Sequence, residues 1–285
     1  MLFTVNQSTK KAPTPEHKFA IVSIVIGELF ETTWERLCRK GWERHANAYG
    51  YDIILINGPL DTTDRAKSRS PAWQKLLILS QPWSKKYERI IWVDADIMIT
   101  PFALNLLDYC PDITKVGISE SNDRLSVSEK HLYLERIQKV SIRPDFDVQF
   151  WLWHNQNQFQ LYDITAENAV MYNTGVLVLS PKHHEKLFLE VYEQEEKGRL
   201  YEQPYLSYVL DERGLTHKIS PRFNWGILET LALYMPDKLF KPASDFTDTD
   251  KWVLEYLIRR EYNNAYFLHF YGSMGIMANL PAAFD

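Results

Sequence analysis

Two aspartates, Asp94 and Asp96, stand one small residue apart at the end of the apolar run Ile90-Ile91-Trp92-Val93. The run is β-branched and aromatic, too short for a typical helix, and reads as a strand buried on both faces. On an extended chain the side chains at i and i+2 point to one side, so both carboxylates reach a common cation. Oxygen donors of this kind suit Mg²⁺, Mn²⁺ or Ca²⁺ rather than a thiophilic metal. The same spacing also arises where two polar residues merely end a strand ahead of a turn, here before Pro101. The rest of the chain has to decide between the two.

Other residues with chemical potential lie on segments that must bring them to that strand end. Lys75 falls on a predicted helix that opens with Ser70 as N-cap and Pro71 in the first turn and runs to about Gln81. Trp73, Leu76 and Leu77 mark one face of it, and Ala72, Lys75 and Leu79 the other. A lysine on a helix apolar on both sides needs an anion nearby or must snorkel to solvent. Asn173, Thr174 and Gly175 interrupt the strand-like stretch 169–179, where a glycine signals a bulge or a close backbone approach. Gln203, just before Pro204, takes the N-cap of a helix that runs through Arg213 and stops at Gly214, with an N-terminus that favours negative charge. His269 sits in the aromatic run AYFLHFYG at 265–272, predicted as a strand. A lone imidazole in such a run reads first as a hydrogen-bonded core residue.

The supporting elements follow from local patterning. Residues 19–26, FAIVSIVI, form a buried strand ending at Gly27, and from Thr32 the positions Trp34, Leu37, Cys38, Gly41, Trp42, His45, Ala46 and Tyr49 keep a helical period until Gly50. A strand at 51–56 completes a βαβ unit and therefore implies a parallel sheet. Residues 57–69 read as an exposed polar loop, 115–119 as a further strand and 186–197 as a helix. The stretch 146–162 is aromatic and amide-rich without a clear period, which suits either a satellite core or a substrate wall. Residues 1–17, with Pro13 and Pro15, read as a flexible N-terminal tail, and 18–285 as a single α/β domain.

Composition narrows the function. Of 285 residues, 45% are hydrophobic and 24% charged, so the body of the chain is an ordinary globular fold. A net charge of −5 with no long basic run argues against nucleic acid as a partner. Most of the nine Trp and sixteen Tyr belong in a core, and an aromatic content of 14% is also compatible with a surface that packs flat rings on sugars. The only cysteines, Cys38 and Cys110, make neither a disulfide framework nor a zinc site, and a reduced, cytoplasmic setting fits them. No apolar leader opens the chain and no segment is long and apolar enough for a transmembrane span.

In chain order, WQKLLIL at 73–79, WVDADIMI at 92–99, YNTGVLVLSP at 172–181, EQPYLSYVL at 202–210 and LHFYG at 268–272 resemble the GT-A-fold nucleotide-sugar glycosyltransferases. The likeness is above all to the retaining glycosyltransferase family eight, the glycogenin and lipopolysaccharide galactosyltransferase type, with some likeness to the yeast mannan and plant xyloglucan transferases. It implies a Rossmann-like GT-A domain with a central, mostly parallel sheet flanked by helices. It also implies that Asp94 and Asp96 are the metal-binding D-x-D, that His269 is the third ligand, and that the ion is Mn²⁺ or Mg²⁺. Lys75, Asp94, Gly27 and Gly272 would then lie on the donor side, and Asn173 beside the donor or acceptor sugar. Glu202-Gln203 stands where the family usually has Asp-Gln, with the glutamine near the anomeric carbon. One departure concerns the segment after the histidine, which in the family continues to a lysine in a form like H-F-x-G-x-x-K-P-W. Here it reads HFYGSMGIMANLP, with no lysine or arginine after Arg260. Backbone amides around Gly272 and Gly275, or another basic side chain, would have to take that contact.

The resemblance therefore implies transfer of a sugar from a nucleotide sugar, a UDP-sugar by preference, to a hydroxyl of a carbohydrate or other acceptor, with retained anomeric configuration. A Mg²⁺-dependent nucleotidyl- or phosphotransferase could use the same carboxylate pair, although the chain has no G-x-x-x-x-G-K-[ST] loop and no glycine-rich pyrophosphate signature. A non-catalytic nucleotide-sugar-binding homologue is the third reading.

Overall fold

The apolar runs pair as strands around which everything else is layered. The computed structural model describes residues 1–5, 14–140, 158–165, 170–198, 200–239, 241, 243–281 and 284. Its strands are β1 (Leu2–Val5), β2 (Phe19–Ile24), β3 (Tyr51–Ile56), β4 (Arg89–Val93), β5 (Ile97–Ile99), β6 (Val116–Glu120), β7 (Tyr172–Leu179), β8 (Thr216–Lys218), β9 (Trp225–Gly226) and β10 (Phe267–His269). Seven of them form one sheet in the order β1-β3-β2-β4-β7-β6-β8. Only β7 runs against its neighbours β4 and β6; the remaining pairs are parallel. The other three make a small sheet in which β10 lies antiparallel to β5 and parallel to β9.

Because successive strand residues face opposite ways, the large sheet divides its apolar side chains between two cores. Ile21, Ile53, Ile91 and Val178 pack with Trp34, Leu37 and Trp42 on one face. Val22, Ile54, Ile90 and Leu179 pack with Trp73, Leu76 and Phe188 on the other. Strands β3 and β4 are buried along their whole length, as the unbroken apolar runs require of a sheet covered on both sides.

Several local expectations are corrected. Leu2–Val5 is not a loose tail but the edge strand β1, paired in parallel with residues 53–56 of β3; four residues of strand were diluted by the polar stretch that follows. The helix expected from Thr32 begins earlier, at Glu28–Thr33, passes through a π-helical turn at Trp34–Cys38 and continues as Arg39–Tyr49. Gly50 ends it in the left-handed region at φ 71°. Ser70 caps its helix by accepting from the Ala72 N–H, but Pro71–Ser80 is a 3₁₀ helix. With three residues per turn, Trp73, Leu76 and Leu79 fall in one buried line and Lys75 aligns with Ala72, so Leu79 leaves the face it was assigned.

Pro181–Tyr192 is the helix expected at 186–197, shifted toward its proline, and the final strand shortens to Phe267–His269 after the long helix Asp248–Asn264. The polar loop 57–69 contains a short helix, Asp64–Lys67, and ends on Arg69, buried between the rings of Trp73 and Tyr192. From the aromatic stretch, Phe159 and Tyr162 join Ile164 and Met171 in a satellite core, while residues 146–157 lie outside the described residues. Among the described residues no helix is long and apolar enough to cross a membrane.

One buried histidine ties the turn before β6 to this frame. The Nδ1 of His184 accepts from the Ser180 N–H at 3.0 Å, so its Nε2 donates to the Thr114 carbonyl at 3.1 Å. Burial lowers its pKa from 6.5 to about 4, and His45, also buried, moves the same way to about 4. The unfolded chain therefore takes up these protons first. Each histidine contributes stability that is full above about pH 6.5 and is lost as pH falls toward about 4, up to ~3 kcal/mol apiece. Urea denaturation across that range should show the loss, and His184→Phe should flatten its share of the slope. A parent curve independent of pH there would contradict the two neutral imidazoles.

Candidate active site

The chain changes sheets at the aspartates. Strand β4 leaves the large sheet at Asp94, and β5 begins in the small sheet at Ile97, whose N–H donates to the Asp94 carbonyl at 3.2 Å. Asp94-Ala95-Asp96 is thus a tight turn rather than extended chain. The two carboxylates converge because the backbone folds between them, and not because an i, i+2 pair shares a strand face. Both neighbouring sheets grip the turn: the Asp94 N–H donates to the Gly175 carbonyl at 2.8 Å, and the Phe270 N–H to the Asp96 carbonyl at 3.0 Å.

That second contact carries the histidine in. Strand β10 pairs with β5 with His269 opposite Ile97, which sets His269 Nε2 3.2 Å from Asp96 Oδ1 and 3.8 Å from Asp94 Oδ2. The ring packs so tightly on β7 that a Cβ at Gly175 would lie 2.2 Å from its Cε1. The glycine of the N-T-G break marks this close approach, and the strand bulges there, with the β6–β7 register shifting between Ile118 and Ser119.

The ring is only 2% exposed, its Nδ1 lies 2.7 Å from Asn224 Oδ1, and its Nε2 has no hydrogen-bond partner. An imidazole nitrogen facing two carboxylates calls for positive charge between them. The three ligand atoms all lie within 4.8 Å of one another, and two carboxylates with one imidazole fit Mn²⁺ or Mg²⁺.

Lys75 does not snorkel. Its Nζ is buried 3.2 Å from Asp94 Oδ1 and 3.1 Å from Glu202 Oε1. Burial alone would lower its pKa, but Asp94 and Glu202 outweigh that and hold it above the ordinary lysine value. Trp92 Nε1 also donates to Asp94 Oδ1, at 2.7 Å, which leaves Oδ2 to face His269. Glu202, not Gln203, is the N-cap residue of the helix Gln203–Glu212, since Gln203 is the first residue of that helix. Glu202 is 1% exposed; its Oε1 also accepts from Thr174 Oγ1 at 2.7 Å, while its Oε2 has no partner. Gln203 Oε1 accepts from the Thr174 N–H at 3.3 Å.

A cavity of about 640 Å³ unites most of the expected residues: Lys75, Asp94, Asp96, Asn173, Glu202, Gln203, His269 and Gly272 all line it. Gly27 does not. It turns at φ 94° and gives its N–H to Glu31, starting the helix whose Phe30 reaches the wall instead. Among the described lining residues Lys75 is the only lysine or arginine, while Gly272 and Gly275 both border the space. Sequence reading missed Asn224 and the role of Thr174. It also missed Tyr133 and Tyr271 on the walls, whose spacing carries no local signal.

No protein-family model matches the chain, and no curated protein matches it. Among solved structures it is similar to a glycosyltransferase involved in the glycosylation of the major capsid of PBCV-1, at 14% identity and a TM-score of 0.53 over 91% of this chain and 96% of that one. It is also similar to the bifunctional glycosyltransferase WbbM, at 13% identity and a TM-score of 0.52 over 94% of this chain and 51% of that one, so it spans about half the length of WbbM. At these identities the likeness is one of fold. The chain has the GT-A fold that its ordered motifs resemble.

Removing Lys75 should expose what it balances. Lys75→Met leaves Glu202 and Asp94 without their cation and should destabilise the protein by about 3–5 kcal/mol, the usual cost of breaking a buried pair from one side. Adding Glu202→Gln should recover much of that. Chemical denaturation of the single and double variants measures both. A single variant within about 1 kcal/mol of the parent would show the triad to be no stronger than a surface pair.

Proposed function

We propose that the chain is a glycosyltransferase that moves a sugar, hexose or pentose, from a nucleotide-sugar donor to an acceptor hydroxyl with retention of configuration. A UDP-sugar is the preferred donor by family resemblance. The observation that carries this reading is the meeting of Asp94, Asp96 and His269 Nε2 in a cavity sized for such a ligand and bordered by Glu202 and Gln203. When bound by those three side chains, Mn²⁺ or Mg²⁺ would neutralise the charge that develops on the departing diphosphate.

The chain's own residues take the remaining roles. Lys75 is committed to Asp94 and Glu202, so it holds the acidic wall in place and adds one positive charge beside the donor. Glu202 Oε2 is a buried acceptor for a hydroxyl of the donor sugar. Asn173 Oδ1 already accepts from Gly175 and Asn224, which leaves its Nδ2 to a sugar hydroxyl. Gln203, oriented by the Thr174 N–H, lends its amide oxygen to the oxocarbenium-like carbon. An amide is too weak a nucleophile for a covalent step. The acceptor oxygen therefore bonds to the anomeric carbon on the face from which the phosphate oxygen departs, and its proton passes to that oxygen. Two buried, unpaired cysteines accord with a reducing, cytoplasmic setting.

With a panel of UDP-sugars and Mn²⁺, the protein should release UDP, chelator should stop it, and added Mn²⁺ should restore it. Asp96→Asn should stay folded and lose roughly 100-fold or more in turnover, since the cation is worth several kcal/mol to such a transition state. NMR of early product should show the donor's anomeric configuration. Inverted product would overturn the same-face reaction, full activity in chelator the metal centre, and donor binding without turnover the enzyme itself.

A further inference from the structure

We propose that Asn224 is a positioning residue that sets the tautomer of His269, through a relay of two side-chain amides anchored on the backbone of β7. The geometry around His269 says which ring nitrogen faces the carboxylates. It leaves open which one carries the proton, and only a bare Nε2 can ligate a cation.

The relay answers that from groups that have no choice of role. A backbone N–H only donates, and the Gly175 N–H donates to Asn173 Oδ1 at 2.9 Å, which identifies that atom as the amide oxygen. Asn224 Nδ2 then points at two acceptors, Asn173 Oδ1 at 2.9 Å and the Asn173 carbonyl at 3.2 Å. Flipping the Asn224 amide would set oxygen against two oxygens. Its Oδ1 is therefore the atom 2.7 Å from His269 Nδ1, and in the neutral ring Nδ1 must donate. In the neutral ring the proton therefore sits on Nδ1, with the Nε2 lone pair aimed at Asp96 and Asp94. Gly175 completes the device, because its missing side chain lets the ring reach the strand that anchors the relay. The relay's use in ligation rests on the proposed metal centre, whereas the tautomer itself does not.

The test uses the full chain, labelled with ¹⁵N-histidine and free of metal, with the pH raised until the His269 signals stop moving, so that the neutral ring is the one observed. Two-bond proton–nitrogen spectra should show His269 as Nδ1–H, its signals identified among the eight histidines by their loss in His269→Gln. Asn224→Ala should shift the ring toward Nε2–H, the form that free imidazole side chains prefer. It should also weaken Mn²⁺ binding by calorimetry about 10–100-fold, the usual effect of removing a partner that orients a metal ligand. Asn224→Asp keeps an oxygen acceptor opposite Nδ1 and should keep Nδ1–H; it also decides the matter if the alanine variant does not fold. A parent ring found as Nε2–H, or an Asn224→Ala ring that keeps Nδ1–H, would overturn the proposal. If the tautomer responds as expected while the parent binds no Mn²⁺, the relay stands and the metal reading fails.

Discussion

The ammonium of Lys75 is the charge on which the site depends. It is buried against two carboxylates from elements far apart in the chain, Asp94 at the end of β4 and Glu202 at the head of the helix Gln203–Glu212. Without it, the buried Glu202 and the partly exposed Asp94 and Asp96 would converge with no side-chain cation between them, and their mutual repulsion would cost stability. With it, Asp94 is divided between two tasks. One oxygen is held by Lys75 and Trp92, and the other is left toward His269. The 3₁₀ geometry of Pro71–Ser80 matters here, because three residues per turn line Lys75 up with Ala72 on the cavity side while Trp73, Leu76 and Leu79 stay in the core.

A second constraint is topological. The site lies where one chain passes from a large sheet to a small one, so the carboxylates are fixed by backbone hydrogen bonds to both sheets at once. Strand β7, the only reversed strand of the large sheet, supplies the Gly175 carbonyl that holds Asp94 and the bare backbone against which His269 packs. The small sheet supplies the histidine itself. Neither sheet alone brings the three side chains together: the turn between them carries the aspartates and the small sheet the histidine.

Much of this was legible in the sequence, and the boundary of legibility has a physical cause. Buried parallel strands are unbroken β-branched runs, and helix ends carry Ser, Pro and Gly for local reasons, so the βαβ start, the Ser70 cap and the Gly50 stop could be read directly. The ordered motifs named Lys75, Asp94, Asp96, Asn173, Glu202, Gln203 and His269, and these share one cavity. What escaped were contacts whose partners are distant in sequence. Asn224 meets His269 across 45 residues, and Thr174 meets Glu202 across 28, with no periodicity in either neighbourhood to announce it. The i, i+2 rule placed Asp94 and Asp96 together by a wrong route, since it assumed extended backbone where the chain turns. Leu2–Val5 was lost to averaging over a polar window, although its partner β3 was plain.

The departure at the end of the chain takes on a different meaning beside the Lys75 triad. The lysine that the resemblance implies after His269 would bring a second cation to the cavity, and without it the described lining residues set three carboxylates against one ammonium. That ammonium already makes two ion pairs, so it has little left to give a diphosphate. Gly272 and Gly275 bring backbone rather than charge to the same border, and backbone dipoles offset only part of what a lysine would. In the proposed reaction, a diphosphate leaving group approaching such a wall would be repelled unless a divalent cation stood between them. For that reaction, the missing side-chain cation and a bound divalent one are thus two sides of a single electrostatic balance, and the buried His269 nitrogen with no hydrogen-bond partner is where that balance is left open.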